Sequence, residues 1–207
     1  MMGAGVLTFG DFVTKSGRNT PYFVNTGNYK TGSHISKLGD FYAECLVGSG
    51  EAFDALYGPA YKGITLAAAA AASLYRNYDL DVPYFYNRKE AKDHGEGGSL
   101  IGYKPVDGDR IVIIEDVVTA GTAVRESLVL LKSVADVTVT ALFVSVDRME
   151  RGTSERSTLA QLKDEFGINV YSIITARDII DSFPVGDERI AKMEAYLAEY
   201  GGVSSFN

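Results

Sequence analysis

Arg110-Ile111-Val112-Ile113-Ile114-Glu115-Asp116-Val117-Val118-Thr119-Ala120-Gly121-Thr122-Ala123 is the stretch that decides the fold. Its first part is a continuous β-branched run rather than an alternation of apolar and polar residues. That pattern marks a strand buried on both faces, as in a parallel sheet. Two acids end the strand, and small hydroxyl-bearing and glycine residues then open a helix. Gly121 lets the backbone approach a ligand closely, and the free N–H groups at a helix start favour anions. Thr119 and Thr122 add hydroxyl donors. Glu115 and Asp116 would repel a bare phosphate, so they suit sugar hydroxyls or a bridging Mg²⁺. The plain alternative is a capped turn whose acids favour the helix N-terminus.

The same alternation of strand and helix extends in both directions. Ile35, Leu38, Phe41, Tyr42, Cys45 and Leu46 recur at helical spacing, with Ser33 as the expected N-cap and Gly48 and Gly50 as the stop. An apolar run at 52–57 meets Gly58-Pro59, the punctuation of a strand end. The Ala-rich stretch 63–78 favours helix. Strands are expected at 82–86, 137–146 and 169–174, with helices at 122–133 and 158–166 and further helical segments at the C-terminal end. Ile190, Met193 and Leu197 fall at helical spacing and are expected to pack onto the core. A polar, glycine-rich loop covers 87–98. Such a chain implies an α/β fold with a parallel sheet and crossover helices, and ligands at the carboxyl ends of the strands.

Composition narrows the class. The 207 residues are 46% hydrophobic, 23% charged and 11% aromatic, which excludes disordered, collagenous and low-complexity proteins. That length suits one domain. Cys45 is the single cysteine, so there is no intramolecular disulfide and no Cys-rich zinc site. A lone thiol in a helical apolar pattern reads as core, and the count fits a reducing, cytoplasmic setting. Residues 1–10 lack a basic region followed by an apolar run, so no signal peptide is expected. The most apolar stretch, 64–75, is too short to span a bilayer, so no membrane partner is expected. Twenty Lys and Arg against 27 Asp and Glu give a net charge of −7. That surface repels a nucleic-acid backbone, so any phosphate site must be a local exception. His34 is expected at the surface, and Gly3-Ala4-Gly5 is not a dinucleotide fingerprint because no strand precedes it.

The string from hydrophobics through two acids to Thr-Ala-Gly-Thr resembles the phosphoribosyl-pyrophosphate signature of the type I phosphoribosyltransferases. Three more segments sharpen the likeness. Asn87-Arg88-Lys89-Glu90-Ala91-Lys92-Asp93-His94-Gly95-Glu96-Gly97-Gly98 resembles the catalytic loop of orotate phosphoribosyltransferases. Gly58-Pro59-Ala60-Tyr61-Lys62-Gly63-Ile64 is similar to their second pyrophosphate-contacting turn. Lys15-Ser16-Gly17-Arg18 with Pro21-Tyr22-Phe23 resembles their N-terminal orotate-binding segment. Two places depart from the pattern. Val24 stands where a second aromatic is common, and 26–31 reads differently, neither change being expected to touch the pyrophosphate chemistry.

The resemblance implies a parallel-sheet type I fold with flanking helices and a small hood formed largely by the N-terminal segment. It implies a single domain over 1–207, with about 1–32 in the hood and 87–98 as a mobile catalytic loop. The implied reaction joins orotate and phosphoribosyl pyrophosphate to give orotidine 5′-monophosphate and pyrophosphate, in UMP synthesis. Lys92, His94 and Asp116 carry the catalytic roles in that reading. Lys15, Tyr61, Lys62, Arg88, Lys89, Lys92, His94 and the run from Glu115 to Ala123 would bind the phosphoribosyl pyrophosphate. Phe23, Val24, Thr119 and Arg148 would bind orotate, with Arg18 and Arg151 ranked behind Arg148. Mg²⁺ is implied as a cofactor held mainly by the substrate's pyrophosphate, with no dedicated protein ligand. A homodimer with shared active sites is implied as well. The alternatives are a purine-type phosphoribosyltransferase, against which the 87–98 loop argues, and a non-catalytic phosphoribosyl-pyrophosphate sensor that binds nucleic acid, against which the charge argues.

Overall fold

The computed structural model describes residues 1–14, 17–89, 99–152 and 154–202. At its centre a six-stranded sheet runs in the order β5-β4-β3-β6-β7-β8. The strands are β3 (Ala55–Tyr57), β4 (Tyr84–Asn87), β5 (Leu100–Gly102), β6 (Arg110–Glu115), β7 (Thr138–Asp147) and β8 (Asn169–Thr175). All neighbours pair in parallel except β4 and β5, which are antiparallel. The decisive run is thus a central strand. Its alternate side chains feed two cores, because successive residues of a strand point to opposite faces. Ile111 and Ile113 join Val124, Leu128 and Leu131 of α3 (Thr122–Val134) and Leu159 and Leu162 of α4 (Thr158–Phe166). Val112 and Ile114 join Leu38, Tyr42 and Leu46 of α1 (Gly32–Ser49) and Leu66 and Leu74 of α2 (Lys62–Tyr78).

The expected helices are present, with one cap moved. Thr31, not Ser33, caps α1, its side chain accepting from the His34 N–H at 3.3 Å. Both residues carry a short hydroxyl, but the helix already begins at Gly32, which puts Ser33 inside its first turn. Gly50 ends α1 at φ 69°. His34 is half-buried rather than at the surface, edge-on to Tyr29 with ring centroids 6.2 Å apart.

Beside the sheet stands a hairpin that the sequence pattern did not reveal. β1 (Leu7–Val13) and β2 (Asn19–Val24) are antiparallel, with a register shift between Phe9 and Phe12. Its inner side packs with α5 (Ala176–Asp181) and α6 (Glu188–Tyr200) in a third core of Leu7, Tyr22, Val146, Ile179, Met193 and Tyr196. The C-terminal apolar run finds its place here, with Ile190 and Met193 buried. Among the described residues no helix is long and apolar enough to cross a membrane.

Candidate active site

The carboxyl ends of the parallel interior strands β3, β6 and β7 bring the turns expected to bind ligand to one end of the sheet. After β6, Gly121 adopts φ 74°, the left-handed conformation, and starts α3 without a side-chain cap. The first N–H groups of a helix have no partner within it, so this end stays open to an anion. A Cβ on Gly121 would lie 2.8 Å from the Arg125 guanidinium. Val117 turns toward the hairpin core and Val118 toward the α3 side, so what they offer a ligand is backbone. Thr119, Ala120, Thr122 and Ala123 are exposed. The turn is braced from behind: the Thr119 carbonyl accepts from Thr158 Oγ1 at 2.8 Å, and the Ala120 carbonyl from Arg125 at 3.0 Å.

The two acids do different things. Glu115 is 9% exposed and folds back so that Oε1 accepts from the Asp116 N–H at 3.0 Å. Burial holds its carboxyl well above the usual carboxylate range, because a low-dielectric surrounding disfavours the charged form. Asp116 reaches the cleft. Its Oδ2 accepts from Lys62 Nζ at 2.6 Å and from Thr26 Oγ1 at 2.5 Å. Burial works to raise its titration, but the bonds from Lys62, Thr26 and the Val117 N–H outweigh that and lower it. Tyr42 and Ser145 fix the backbone beneath, donating to the Glu115 and Asp116 carbonyls at 2.6 and 2.7 Å.

Lys62 comes from the turn between β3 and α2, where the chain is packed against itself. A Cβ on Gly58 would lie 2.1 Å from the Gly63 carbonyl oxygen, and one on Gly63 would lie 2.9 Å from that of Ile114. Glycine at both positions is what lets this turn lie against the end of β6. The Ala60 N–H donates to Asn87 at 2.8 Å, tying the turn to β4 as well. Lys62 and Asp116 line a cleft of about 290 Å³ together with Thr26, Tyr29, Tyr61 and Thr65.

Arg148 follows β7 and sits at the hairpin. Its guanidinium lies 4.7 Å from the centroid of the Tyr22 ring and is paired with Glu150 at 2.6 Å. Glu150 also accepts from the Tyr196 hydroxyl of α6 at 3.0 Å. Phe23 is exposed and close to Phe12, with centroids 5.5 Å apart, whereas Val24 packs into the hairpin core. Arg18 is turned away to the Arg151 carbonyl at 3.0 Å, and both arginines lie over the Tyr200 ring. Lys89 lies 5.1 Å from the Tyr61 ring centroid, and the Arg88 N–H donates to the Ser99 carbonyl at 2.7 Å. Lys15, Lys92 and His94 lie outside the described residues.

One site residue escaped the sequence reading. Segment 26–31 was expected to leave the pyrophosphate machinery untouched, yet Thr26 bonds both Asp116 and Lys62. Its partners lie 90 and 36 residues away in the chain, so no local pattern could flag it.

Residues 25–172 match the phosphoribosyl transferase domain family. The chain belongs to that family, and the open helix start after β6 lies within the matched region. The orotate phosphoribosyltransferase of Clostridium beijerinckii is 48% identical, over 97% of this chain and 94% of its own length. That of Escherichia coli (strain SE11) is 47% identical over the same shares. The crystal structure of the Francisella tularensis orotate phosphoribosyltransferase superposes with a TM-score of 0.87 at 34% identity, covering 97% of this chain and 96% of that one. Within the wider family, this chain is a member of the orotate phosphoribosyltransferases.

Proposed function

We propose that the protein transfers the phosphoribosyl group of phosphoribosyl pyrophosphate to orotate in pyrimidine biosynthesis. The bond from the ribose C1′ to the pyrophosphate oxygen breaks, and a bond from C1′ to orotate N1 forms. The N1 proton is released to solvent, and the products are orotidine 5′-monophosphate and pyrophosphate. The observation that carries this reading is the pairing of Lys62 with Asp116 across the cleft beside the uncapped start of α3. One arm offers a cation to a leaving pyrophosphate, the other a carboxylate to ribose hydroxyls, and the helix start offers N–H donors to a phosphate.

Each group has a task that follows from its chemistry. Lys62 turns from Asp116 to the pyrophosphate as the substrate enters, and Asp116 takes a ribose hydroxyl in its place. Glu115 stands behind Asp116 and holds the backbone of the turn. The run 117–123 supplies backbone donors and the Thr119 and Thr122 hydroxyls. Charge building on the departing pyrophosphate is offset by Lys62, Arg88 and Lys89, with Lys92 and His94 of the loop completing the seal and excluding water. Arg148 presents a planar guanidinium suited to the orotate carboxylate. Phe23 and Val24 offer backbone beside it.

The donor set fits a magnesium ion that rides on the substrate. Among the described residues no group of three His, Cys, Asp or Glu side chains could hold a metal, and of the two acids only Asp116 lines the cleft. Mg²⁺ keeps much of its water and binds readily through phosphate oxygens. When bound with the pyrophosphate it supplies charge neutralisation. The reading includes a homodimer whose loops at 87–98 complete each other's sites, and a single domain with about 1–32 in the hood.

The test mixes the protein with Mg²⁺, phosphoribosyl pyrophosphate and orotate and follows loss of orotate's near-ultraviolet absorbance. Orotate should be consumed and adenine and hypoxanthine left untouched. Consumption of a purine instead would replace this reading with the purine-type one.

A further inference from the structure

We propose that Thr26 is a positioning residue for the transferase site, a role that rests on the reading above. Its side-chain oxygen sits between the two charged groups of the cleft. As a donor it reaches Asp116 Oδ2 at 2.5 Å, and as an acceptor it receives a hydrogen bond from Lys62 Nζ at 3.0 Å. The residue is 8% exposed and the Asp116 side chain 11%, whereas the Lys62 side chain is 57% exposed. The lysine is therefore the member of the trio that can swing, and the other two are fixed by burial.

That asymmetry gives the hydroxyl a task. When Lys62 turns to a pyrophosphate, the Asp116 carboxylate loses its counter-ion at a site where water reaches it poorly. A buried anion stripped of donors is costly, and hydrogen bonds to it offset that cost. Thr26 is the side-chain donor that stays. It lowers the cost of releasing Lys62 and keeps Asp116 aimed at the ribose. A neighbouring constraint supports the aim: Asn25 caps the 3₁₀ turn Thr26–Asn28 by accepting from the Gly27 N–H at 3.1 Å. The Asn28 side chain donates to the Gly5 carbonyl at 2.6 Å. The hydroxyl thus projects from a turn tied to the hairpin base. The Thr methyl has no part in this task.

The experiment compares Thr26→Ser with Thr26→Ala, a pair of variants that differ only by the hydroxyl, and adds the isosteric Thr26→Val. Turnover is measured with phosphoribosyl pyrophosphate and orotate varied separately, and thermal midpoints are recorded alongside. Loss of a hydrogen bond to a buried charge predicts a rise of about tenfold in KM for phosphoribosyl pyrophosphate in Ala and Val. The KM for orotate should stay within about twofold, and Ser should restore the first KM. Equal KM values in Ser and Ala overturn the proposal, as does an equal rise for both substrates. Should Val fail to fold, the Ser and Ala pair still decides. Wild-type protein that consumes no orotate defeats the transferase reading, and the inference falls with it. Normal wild-type turnover with an unaltered Ala variant defeats the inference alone.

Discussion

The cradle after β6 and the hairpin with its helices are built on opposite plans. The cradle is written in one uninterrupted stretch, 115–123, and its carbonyls accept from the side-chain hydroxyls of Tyr42, Ser145 and Thr158 beneath it. The hairpin side is assembled from the two ends of the chain, β1 and β2 with α5 and α6. Its arginine, Arg148, is held by Glu150, which is held in turn by Tyr196 of the last helix. The cradle follows a strand inside the sheet, whereas the Arg148 guanidinium is placed by the side chains of Tyr22 and Glu150. On the proposed function, the part that would handle the sugar phosphate is a turn of the central sheet, and the part that would read the base is a set of side chains beside the hairpin.

Four substitutions test whether the two regions act separately. Asp116→Asn removes the carboxylate from the cradle and should lower kcat/KM by about a hundredfold, read by steady-state kinetics with both substrates. Glu150→Ala leaves the Arg148 guanidinium without its partner. It should raise the KM for orotate about tenfold with little change for phosphoribosyl pyrophosphate. Equal effects on both would mean that the two regions are not separable. Gly58→Ala drives a methyl into the Gly63 carbonyl and should lower the thermal midpoint by about 10 °C, seen by calorimetry.

The smallest effect is expected at Glu115. Its carboxyl titrates higher in the folded chain than its ordinary 4.5. The stability it contributes is complete below that ordinary value and is lost as pH rises through the raised folded value. Glu115→Gln should therefore melt a few degrees above wild type at pH 9. It should show no such gain at pH 4. Identical melting profiles across that range would mean that the side chain carries no burial cost.

How much the sequence revealed follows the same division. The β6 run, its helix and both neighbouring strands were legible because continuous apolar runs and helical spacing are local signals. The helix at 158–166 came out with the expected ends. The β1–β2 hairpin was not legible, since a register shift interrupts its alternation and its partners sit in α5 and α6. β5 is three residues long, too short to carry a period. Thr26 was invisible for a different reason: a threonine after Asn25 signals a turn, and only the fold brings it to Asp116.

The crowding at Gly58 and Gly63 reaches beyond stability. Because the backbone after β3 touches the backbone at the end of β6, there is no gap in which a new side chain could be tried at either place. Descendants of this sequence have little room to experiment there. On the proposed function, novel base preferences, whether arising by drift or by laboratory selection, would have to enter through the hairpin side and leave the proposed sugar-phosphate grip as an heirloom.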